Sequence, residues 1–420
     1  MSAPSAIEAR FRAATPRSAE HAVIASAVMP GGDTRAAGHH PPYQLTMVGG
    51  EGAWLTDLDG HRYLDLIGNF TSLVHGNAYP PILDAARDAM AAGTNWPARN
   101  THAVALAEEL VRRVGSVEQV RFTNSGSEAT LLAAEIARVV TGRPLVMMAR
   151  YGYHGCAPHF ECGTMGHDGP QTVLFEFGDL ASVDATLDRH GSQVACVLVE
   201  PVLGSSGLVA AQPEFLAALR DRAHRAGALL IFDEVITLRL APGGYQAVVG
   251  VAPDLTAMAK IIGGGFPVGA VGGSRQLMGV LDPHAPRLFH SGTFNGNPVT
   301  AAAGLVSLQH LSSDAIAELD RRAARLDAGL LHAAAAAGVP LATRRVGSLL
   351  QLYVQDEAPA LNTDRQDGPG ITLLHLAALN HGVFAAARGM LALSTVLDDD
   401  LVEEAIDRYR AAFTDLAAEW

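Results

Sequence analysis

The chain has 420 residues, 49% of them hydrophobic, which predicts a compact protein with a large core and two domains. Its net charge at pH 7 is −13, with acids and arginines mixed along the chain, so we expect neither nucleic acid nor an anionic membrane as its partner. The three cysteines lie at no metal-ligand or disulfide spacing, and no apolar run is typical of a signal segment or membrane span, so the sequence predicts a cytoplasmic protein without a metal site.

The chain begins with a helical pattern that is followed by a hairpin. Residues 1–30 are predicted to form one helix, whose apolar positions include Val23 and Val28. Two runs of alternating apolar and polar residues follow at 53–57 and 62–66. Asp59-Gly60 lies between these runs, and Asp-Gly in this place predicts a β-hairpin.

From residue 80 the pattern becomes one of alternating helices and buried strands. The predicted strands are 120–123, 144–149, 194–200 and 228–232, and the predicted helices are 82–92, 103–114, 128–141 and 213–225. The strands at 194–200 and 228–232 are nearly all apolar, as expected for strands buried on both faces. This alternation predicts an α/β fold with a mostly parallel sheet.

The last third of the chain has a different pattern. Residues 298–337 are rich in alanine and are predicted to be helical. The remainder is predicted to form a smaller α+β unit, with a loop at 356–370. Its predicted strands lie near 347–355 and 389–394, and its predicted helices lie near 370–381 and 399–417.

Lys260 is the only lysine, beside 29 arginines, where an average chain of this length would carry roughly two dozen lysines. Arginine can replace lysine where only a positive charge is needed, but a guanidinium stays protonated and forms no Schiff base. Lys260 lies among apolar residues, before Gly263-Gly264-Gly265, and an apolar environment lowers the pKa of an amine. Taken alone, this lysine is either a required amine or a chance survivor on the surface.

The segment Phe122-Thr123-Asn124-Ser125-Gly126-Ser127-Glu128 links a predicted strand to a predicted helix. Free backbone N–H groups at a helix N-terminus bind anions, and phosphate suits them well. The same residues also fit an ordinary helix cap made by Ser125 or Ser127. From the segment alone, phosphate binding and plain capping are both open.

Two further candidates lie just after predicted strands. Asp233 stands at the C-terminal end of 228–232, where open α/β sheets bind ligands. It can hold a protonated ring nitrogen, or it can be a structural or metal-binding acid. Tyr153 lies in Gly152-Tyr153-His154-Gly155 and can lie flat on a planar ligand, although a packed loop aromatic is the ordinary alternative.

Together these residues describe one ligand, with a phosphate, a protonated aromatic nitrogen, a flat ring and an aldehyde that condenses with an amine. Pyridoxal 5′-phosphate (PLP) has all four features. The alternative for Gly263-Gly264-Gly265 is a nucleotide-binding loop, which fails because neither G-x-G-x-x-G nor a P-loop pattern is present there. The sequence therefore predicts a PLP site around Lys260.

The chain resembles the class III aminotransferases of PLP fold type I, in particular the branch that holds glutamate-1-semialdehyde aminomutase and the β-amino-acid aminotransferases. The resemblance runs from Met29-Pro30-Gly31-Gly32 to the C-terminal helix. It rests on Arg121-Phe122-Thr123-Asn124-Ser125-Gly126-Ser127-Glu128-Ala129, Gly152-Tyr153-His154-Gly155, Val199-Glu200-Pro201, Ile231-Phe232-Asp233-Glu234-Val235, Lys260-Ile261-Ile262-Gly263-Gly264-Gly265 and Ser291-Gly292-Thr293-Phe294-Asn295-Gly296-Asn297-Pro298.

The resemblance implies a PLP-dependent transferase fold of type I. A large domain with a mostly parallel seven-stranded sheet, flanked by helices, would be joined to a smaller α+β domain. Residues 61–300 would form the large PLP-binding domain, and residues 301–420 would form the C-terminal small domain. Residues 1–60 would be an N-terminal segment that belongs to the small domain and to a dimer arm.

The resemblance also implies roles for single residues around the cofactor ring. Lys260 would form the Schiff base with PLP and move the proton between Cα and C4′. Asp233 would pair with the pyridine nitrogen and keep it protonated, which makes the ring a better electron sink. Tyr153 would cover one face of the ring, and Val235 would cover the other.

A second group of residues would hold the cofactor phosphate. Ser125, Gly126 and Ser127 would bind it at the helix start. Thr293 would reach the phosphate of the neighbouring subunit's cofactor. The resemblance therefore implies a homodimer with two shared active sites.

Two segments that differ from the aminomutase pattern bear on the substrate. The aminomutases usually read Thr-Gly-Phe-Arg where this chain has Thr237-Leu238-Arg239-Leu240-Ala241-Pro242, and they normally carry Ser, Gln and Glu where it has Ala386-Ala387-Arg388-Gly389-Met390. Both segments resemble those of the β-amino-acid aminotransferases. In that group two arginines bind carboxylates, and they match Arg35 and Arg388.

We therefore expect an enzyme that transfers the amino group of a β-amino acid, with aromatic ones as candidates, to 2-oxoglutarate or pyruvate. The first alternative is glutamate-1-semialdehyde 2,1-aminomutase, an isomerase. The second is a non-catalytic protein of the PLP fold, against which the intact set of Lys260, Asp233 and residues 125–127 argues. The substrate side chain is not readable, because one methylene changes specificity by only about 1–3 kcal/mol.

Overall fold

The structure is a computed structural model that describes residues 5–361 and 369–419. The helices are α1 (Ala6–Ala14), α2 (Pro16–Val28), α3 (Gly68–Thr71), α4 (Pro80–Ala92), α5 (Thr101–Arg113), α6 (Gly126–Thr141), α7 (Pro158–Thr164), α8 (Leu180–His190), α9 (Pro213–Arg225), α10 (Tyr245–Val249), α11 (Arg275–Met278), α12 (Pro298–His310), α13 (Ser313–Ala337), α14 (Pro369–Asn380) and α15 (Asp399–Glu419). The strands are β1 (Met47–Glu51), β2 (Trp54–Asp57), β3 (Arg62–Asp65), β4 (Gln119–Thr123), β5 (Leu145–Ala149), β6 (Thr172–Phe175), β7 (Val194–Val199), β8 (Val202–Leu203), β9 (Val209–Ala210), β10 (Leu229–Asp233), β11 (Leu255–Ala259), β12 (Gly269–Gly273), β13 (Ala342–Val346), β14 (Leu349–Tyr353), β15 (Val383–Phe384) and β16 (Met390–Ala392).

The chain divides into two compact units. The central unit is residues 80–316, and the terminal unit combines residues 1–79 with residues 317–420. The predicted boundaries at 61 and 300 differ from this division. β3 pairs with β2 and β15, which keeps it in the terminal unit, whereas α12 packs on α4 and α5 in the central unit.

The central unit is built on a seven-stranded sheet with the order β4-β12-β11-β10-β7-β5-β6. Only β12 runs antiparallel to its neighbours, β11 and β4. Helix α6 packs on this sheet through buried alanines, whose small side chains permit a close approach. The predicted α/β class and the mostly parallel sheet are confirmed.

Three strands of this sheet were not expected from the sequence. β6 and β11 are short, at four and five residues, and strands of this length are ambiguous by periodicity alone. β12 reads Gly-Ala-Val-Gly-Gly, and glycine is depleted in strands. Helix α8 was not expected either.

The terminal unit holds two smaller sheets, β1-β2-β3-β15 and β13-β14-β16. The predicted hairpin is confirmed, because Trp54 pairs with Leu64 across β2 and β3. Helix α14 packs between α1 and α15. None of the helices in the described residues is long and apolar enough to span a bilayer.

Two helical predictions need correction, and the predicted loop reaches outside the described residues. The predicted helix 1–30 is two helices, because Pro16 has no backbone N–H and begins α2 instead of continuing α1. Val23 and Val28 are 73% and 77% exposed, so they are not core positions. The helical stretch 298–337 is interrupted between α12 and α13. Of the predicted loop 356–370, residues 362–368 lie outside the described part of the chain.

Candidate active site

Polar residues follow the carboxyl ends of five parallel strands of the central sheet. They are Lys260 after β11, Asp233 at the end of β10, Glu200 after β7, residues 151–155 after β5 and residues 124–127 after β4. Strands β11, β10, β7 and β5 are direct neighbours, so their ends lie side by side. Ligands of open α/β sheets bind at this edge.

Asp233 is only 5% exposed, and both of its carboxylate oxygens accept hydrogen bonds. Oδ1 accepts from the backbone N–H of Val235 at 3.0 Å, and Oδ2 accepts from Nδ1 of His154 at 2.9 Å. An ionised carboxylate can only accept, so His154 carries a proton on Nδ1. His154 is itself buried, and Thr130 donates to its carbonyl oxygen at 2.6 Å. The orientation of Asp233 is therefore fixed from two sides.

Glu200 is a second buried carboxylate at this edge, 4% exposed. Its Oε1 accepts from the N–H of Tyr153 at 2.9 Å, and its Oε2 accepts from the N–H of Gly204 at 3.0 Å. Burial raises the pKa of Glu200 to about 7, with His154 lowering that pKa and Asp233 raising it further. Glu200 thus ties the 151–155 loop to the segment after β7.

Glu200 and His154 were not among the predicted site residues. Both stand in segments that carry the family resemblance. Glu200 also follows a buried strand, as Asp233 does, so the strand-end rule that selected Asp233 could have found it.

Lys260 has a left-handed backbone with φ of 54°, a conformation that costs a residue other than glycine about 1–3 kcal/mol and clusters at functional sites. Burial lowers the pKa of Lys260 to about 8. The charges of Asp233 and Glu200 raise this pKa, and that of Arg239 lowers it. At pH 7 roughly a tenth of such a lysine is a neutral amine, the form that attacks an aldehyde.

The start of α6 combines a cap with free donors. Ser125 is the N-cap, and its Oγ accepts from the N–H of Glu128 at 3.2 Å. Within the described part of the chain, the N–H groups of Gly126 and Ser127 donate no hydrogen bond. The helix start can therefore both be capped and hold an anion.

Two glycines allow this helix start to approach its neighbours closely. A Cβ on Gly269 of β12 would collide with the carbonyl oxygen of Ser125. A Cβ on Gly155 would collide with the side chain of Ser127. A Cβ on Gly126 would meet Val235 at 3.1 Å, so this position borders the Val235 side chain. The helix start thus lies against the β12 strand, the 151–155 loop and Val235.

Thr293 is exposed and lies in a segment that asparagine side chains hold. We name the set Asn95, Asn100, Asn124 and Asn297 the asparagine clasp. Its Nδ2 contacts are Asn95 to Thr293 O at 2.9 Å, Asn100 to Gly296 O at 2.8 Å, Asn124 to Asn295 Oδ1 at 2.8 Å and Asn297 to Thr94 O at 2.8 Å. Asn124 immediately precedes Ser125, so the clasp joins the Thr293 segment to the start of α6.

The remaining predicted residues are placed as follows. Tyr153 is 45% exposed, and its backbone N–H donates a hydrogen bond to Glu200. Arg35 and Arg388 belong to the terminal unit. Arg35 is exposed. Arg388 lies in a turn between β15 and β16, where its carbonyl oxygen accepts from the side chain of Gln351.

The residues of the central unit fit PLP. The two free N–H groups at the start of α6 suit a phosphate, and the buried, oriented carboxylate of Asp233 suits a protonated ring nitrogen. Lys260 supplies an amine with a lowered pKa. The described residues hold no cluster of three or more His, Cys, Asp or Glu side chains suited to a metal ion.

Comparison with known proteins finds aminotransferases and an aminomutase that match most of this chain. The family model of aminotransferase class-III matches residues 35–413. The β-phenylalanine transaminase of Variovorax paradoxus is 40% identical over 414 residues, 96% of this chain and 93% of that protein. The glutamate-1-semialdehyde 2,1-aminomutase of Myxococcus xanthus is 41% identical over 325 residues, 73% of this chain and 75% of that protein. A solved transaminase with PLP bound gives a TM-score of 0.91 at 32% identity, covering 96% of this chain and 99% of that chain.

Proposed function

The chain belongs to the class III aminotransferases, which are PLP-dependent enzymes, and we propose that it transfers the amino group of a β-amino acid to a 2-oxo acid. The observation that carries this proposal is the 40% identity to a β-phenylalanine transaminase over 96% of the chain. The segment Thr237-Leu238-Arg239-Leu240-Ala241-Pro242, which resembles the β-amino-acid group, supports it.

Bound PLP supplies an electron sink for the negative charge that develops when the substrate carbon loses its proton. Nζ of Lys260 holds the cofactor and moves that proton, and its pKa of about 8 lies near the working pH of such a group. Asp233, oriented by His154, presents a negative charge to the ring nitrogen. Tyr153 and Val235 cover the two faces of the ring.

The phosphate is held at the start of α6 by Ser125, Gly126 and Ser127, where the N–H groups of Gly126 and Ser127 are free to donate. Thr293 completes the same kind of site in a second copy of the chain. The enzyme is therefore a homodimer in which each active site uses residues of both subunits.

The proposed β-amino acid and 2-oxo acid both carry carboxylates, and Arg35 and Arg388 bind them. The 2-oxo acid becomes an α-amino acid. In a β-amino acid the carboxylate lies one carbon further from the amine than in an α-amino acid. Two guanidinium groups at different positions can therefore bind both carboxylates better than one group can. Each charge-assisted bond is worth about 1.5–3 kcal/mol. Arg388→Ala should raise KM for one substrate class by at least about tenfold more than for the other; equal and small increases in steady-state assays would contradict the assignment.

The proposal is tested by incubating the purified enzyme, with PLP, with 3-amino-3-phenylpropanoate and either 2-oxoglutarate or pyruvate. We expect stoichiometric formation of glutamate or alanine, measured by chromatography, and ping-pong kinetics. The second candidate is the aminomutase, favoured by the 41% identity to that enzyme of Myxococcus xanthus. Formation of 5-aminolevulinate from glutamate-1-semialdehyde, with no net amino acid from the β-amino acid, would support the aminomutase instead.

A further inference from the structure

The short element α3 has a left-handed backbone. Residues 68–71 have φ values of 53°, 48°, 53° and 76°, all in the left-handed region. Asn69 and Phe70 have ψ values of 63° and 49°, so the two form a left-handed helical turn. This conformation is unfavourable for residues other than glycine, less so for asparagine than for phenylalanine, and a run of such residues persists only where the surroundings enforce it.

The surroundings of α3 do enforce it. The buried Asp65 accepts hydrogen bonds from the N–H groups of Ile67 at 3.0 Å and Gly68 at 2.9 Å. The other oxygen of Asp65 accepts from Nδ2 of Asn77 at 2.9 Å. The N–H of Leu73 closes the turn onto the carbonyl oxygen of Gly68 at 2.8 Å. A buried network thus keeps the turn in its left-handed form.

The turn presents two successive side chains to the guanidinium of Arg35. Nη1 of Arg35 donates to Oδ1 of Asn69 at 2.7 Å. The guanidinium carbon lies 5.4 Å from the centroid of the Phe70 ring, within the range of a cation–π contact. The two strained residues therefore hold one edge and one face of Arg35.

The rest of the guanidinium is left available. Among the described residues, Nε and Nη2 of Arg35 donate to no acceptor, and the side chain is exposed. Asp33 accepts from the backbone N–H of Arg35 at 3.2 Å, and its charge interacts with the guanidinium without accepting a hydrogen bond from it. A guanidinium binds a carboxylate best through two parallel N–H groups, and the Nε–Nη2 edge offers such a pair.

We propose that Asn69 and Phe70 are positioning residues that fix Arg35 so that its Nε–Nη2 edge binds the substrate carboxylate. This inference rests on the proposed function, which assigns Arg35 to a carboxylate. An asparagine suits the task because its neutral Oδ1 orients the guanidinium without cancelling its charge. An aspartate at this position would pair with Arg35 and compete with the substrate.

The test measures the binding of 3-phenylpropanoate, which has the carboxylate and lacks the amine, to the holoenzyme by calorimetry. Asn69→Gly keeps the left-handed backbone and removes the amide, and Phe70→Leu removes the ring. The matched control is Ala78→Gly, since Ala78 is also left-handed, with φ of 49°, and has no described contact with Arg35. Thermal unfolding checks that each variant is folded.

We expect Asn69→Gly and Phe70→Leu each to weaken 3-phenylpropanoate binding by about tenfold. They should raise KM for 3-amino-3-phenylpropanoate by a similar factor while kcat stays within about twofold. Asn69→Asp should weaken binding by about a hundredfold, and Ala78→Gly should not change it.

Wild-type affinity in Asn69→Gly and Phe70→Leu, beside a clear loss in Arg35→Ala, would overturn the positioning role and leave the proposed function intact. Wild-type affinity in Arg35→Ala would overturn the positioning role together with the assignment of Arg35. A wild-type enzyme that forms no amino acid from the β-amino acid and 2-oxo acid would instead contradict the proposed function.

Discussion

Lys260 is surrounded by groups that set its charge in opposite directions. Burial and Arg239 lower its pKa, while Asp233 and Glu200 raise it, and the balance lies at about 8. A lysine with this pKa is protonated in most molecules at pH 7 and yet supplies a reactive fraction of free amine. No arginine could serve here, since a guanidinium does not lose its proton in this range.

Glu200→Gln is expected to lower the pKa of Lys260, because it removes a negative charge that raises this pKa. The rate constant for reconstituting the apoenzyme with PLP should rise with pH as the lysine loses its proton. Its midpoint near pH 8 should move to lower pH in the variant. Stopped-flow absorbance over a pH series measures this rate constant. Glu214→Gln, which changes an exposed residue of α9, is the control. Equal midpoints in the wild type, Glu200→Gln and Glu214→Gln would exclude an effect of the Glu200 charge on Lys260.

Residue types and predicted strand ends are enough to select Lys260 and Asp233 from the sequence. The strand-end rule could also have selected Glu200, but neither its contact with the 151–155 loop nor the contact of His154 with Asp233 is visible in local patterns. Glu200 meets the 151–155 loop only because β7 and β5 are neighbours in the sheet, although they are separated in the chain. The order of strands is a long-range property that local patterns do not contain.

At the scale of elements, the asparagine clasp links two helix starts in a reciprocal way. Asn100 caps α5 through Oδ1, which accepts from the N–H of Ala103 at 2.8 Å, while its Nδ2 holds Gly296. Asn297 caps α12 and donates to Thr94 in return. Each of these two side chains therefore caps the start of its own helix and also binds a backbone carbonyl of the segment that precedes the other helix.

The cap and the clasp can be separated at Asn100. Asn100→Asp keeps a good N-cap but removes the donor to Gly296, so we expect it to lower the free energy of unfolding by about 1 kcal/mol. Asn100→Ala removes both, and we expect about 2 kcal/mol. Urea unfolding followed by circular dichroism measures both losses. If Asn100→Asp is as stable as the wild type, the contact to Gly296 contributes no stability.

The elements also mark where sequence patterns fail. Long amphipathic helices and apolar strands were predicted near their observed positions. The glycine-rich β12 was not predicted, because glycine is rare in strands and occurs here where a side chain would collide with neighbouring residues. Gly269 permits Ser125 to lie against β12, and that need is visible only when the two strands are paired. Similarly, Pro16 divides a stretch whose apolar spacing alone predicts one helix.

At the scale of the whole molecule, the segment around Thr293 exposes large apolar side chains. Phe289 is 88% exposed and Phe294 is 61% exposed. Their exposure fits the proposed homodimer, in which this segment reaches the site of the other subunit.

Shared sites can be tested with hybrid dimers. Lys260→Ala should abolish turnover. Thr293→Ala should weaken PLP binding by about tenfold, because it removes a hydrogen bond to the charged phosphate. In a hybrid of the two variants, one site lacks both residues and the other has both. Mixing equal amounts of the two variants and reannealing them should restore wild-type PLP affinity in one of the two sites of each hybrid dimer, which is about a quarter of all sites when subunits pair at random. No restoration, with a hybrid confirmed by mass spectrometry, would contradict sharing of Thr293.

Local sequence patterns alone do not show how the chain divides into units. The terminal unit combines both ends of the chain, and Val383 of β15 pairs there with Leu64 of β3. Composition does not reveal a pairing between residues so far apart in sequence, and it was the family resemblance that placed residues 1–60 with the small domain.

The central claim is that Lys260 carries the cofactor, and the single lysine makes a direct measurement possible. The purified holoenzyme is reduced with borohydride, digested, and mapped by peptide mass spectrometry. We predict that one peptide, the one containing Lys260, carries the reduced pyridoxyl phosphate group in nearly every molecule, and that Lys260→Arg carries none. A reduced cofactor attached elsewhere, such as at the N-terminal amine, or no covalent cofactor in an active enzyme, would contradict this account.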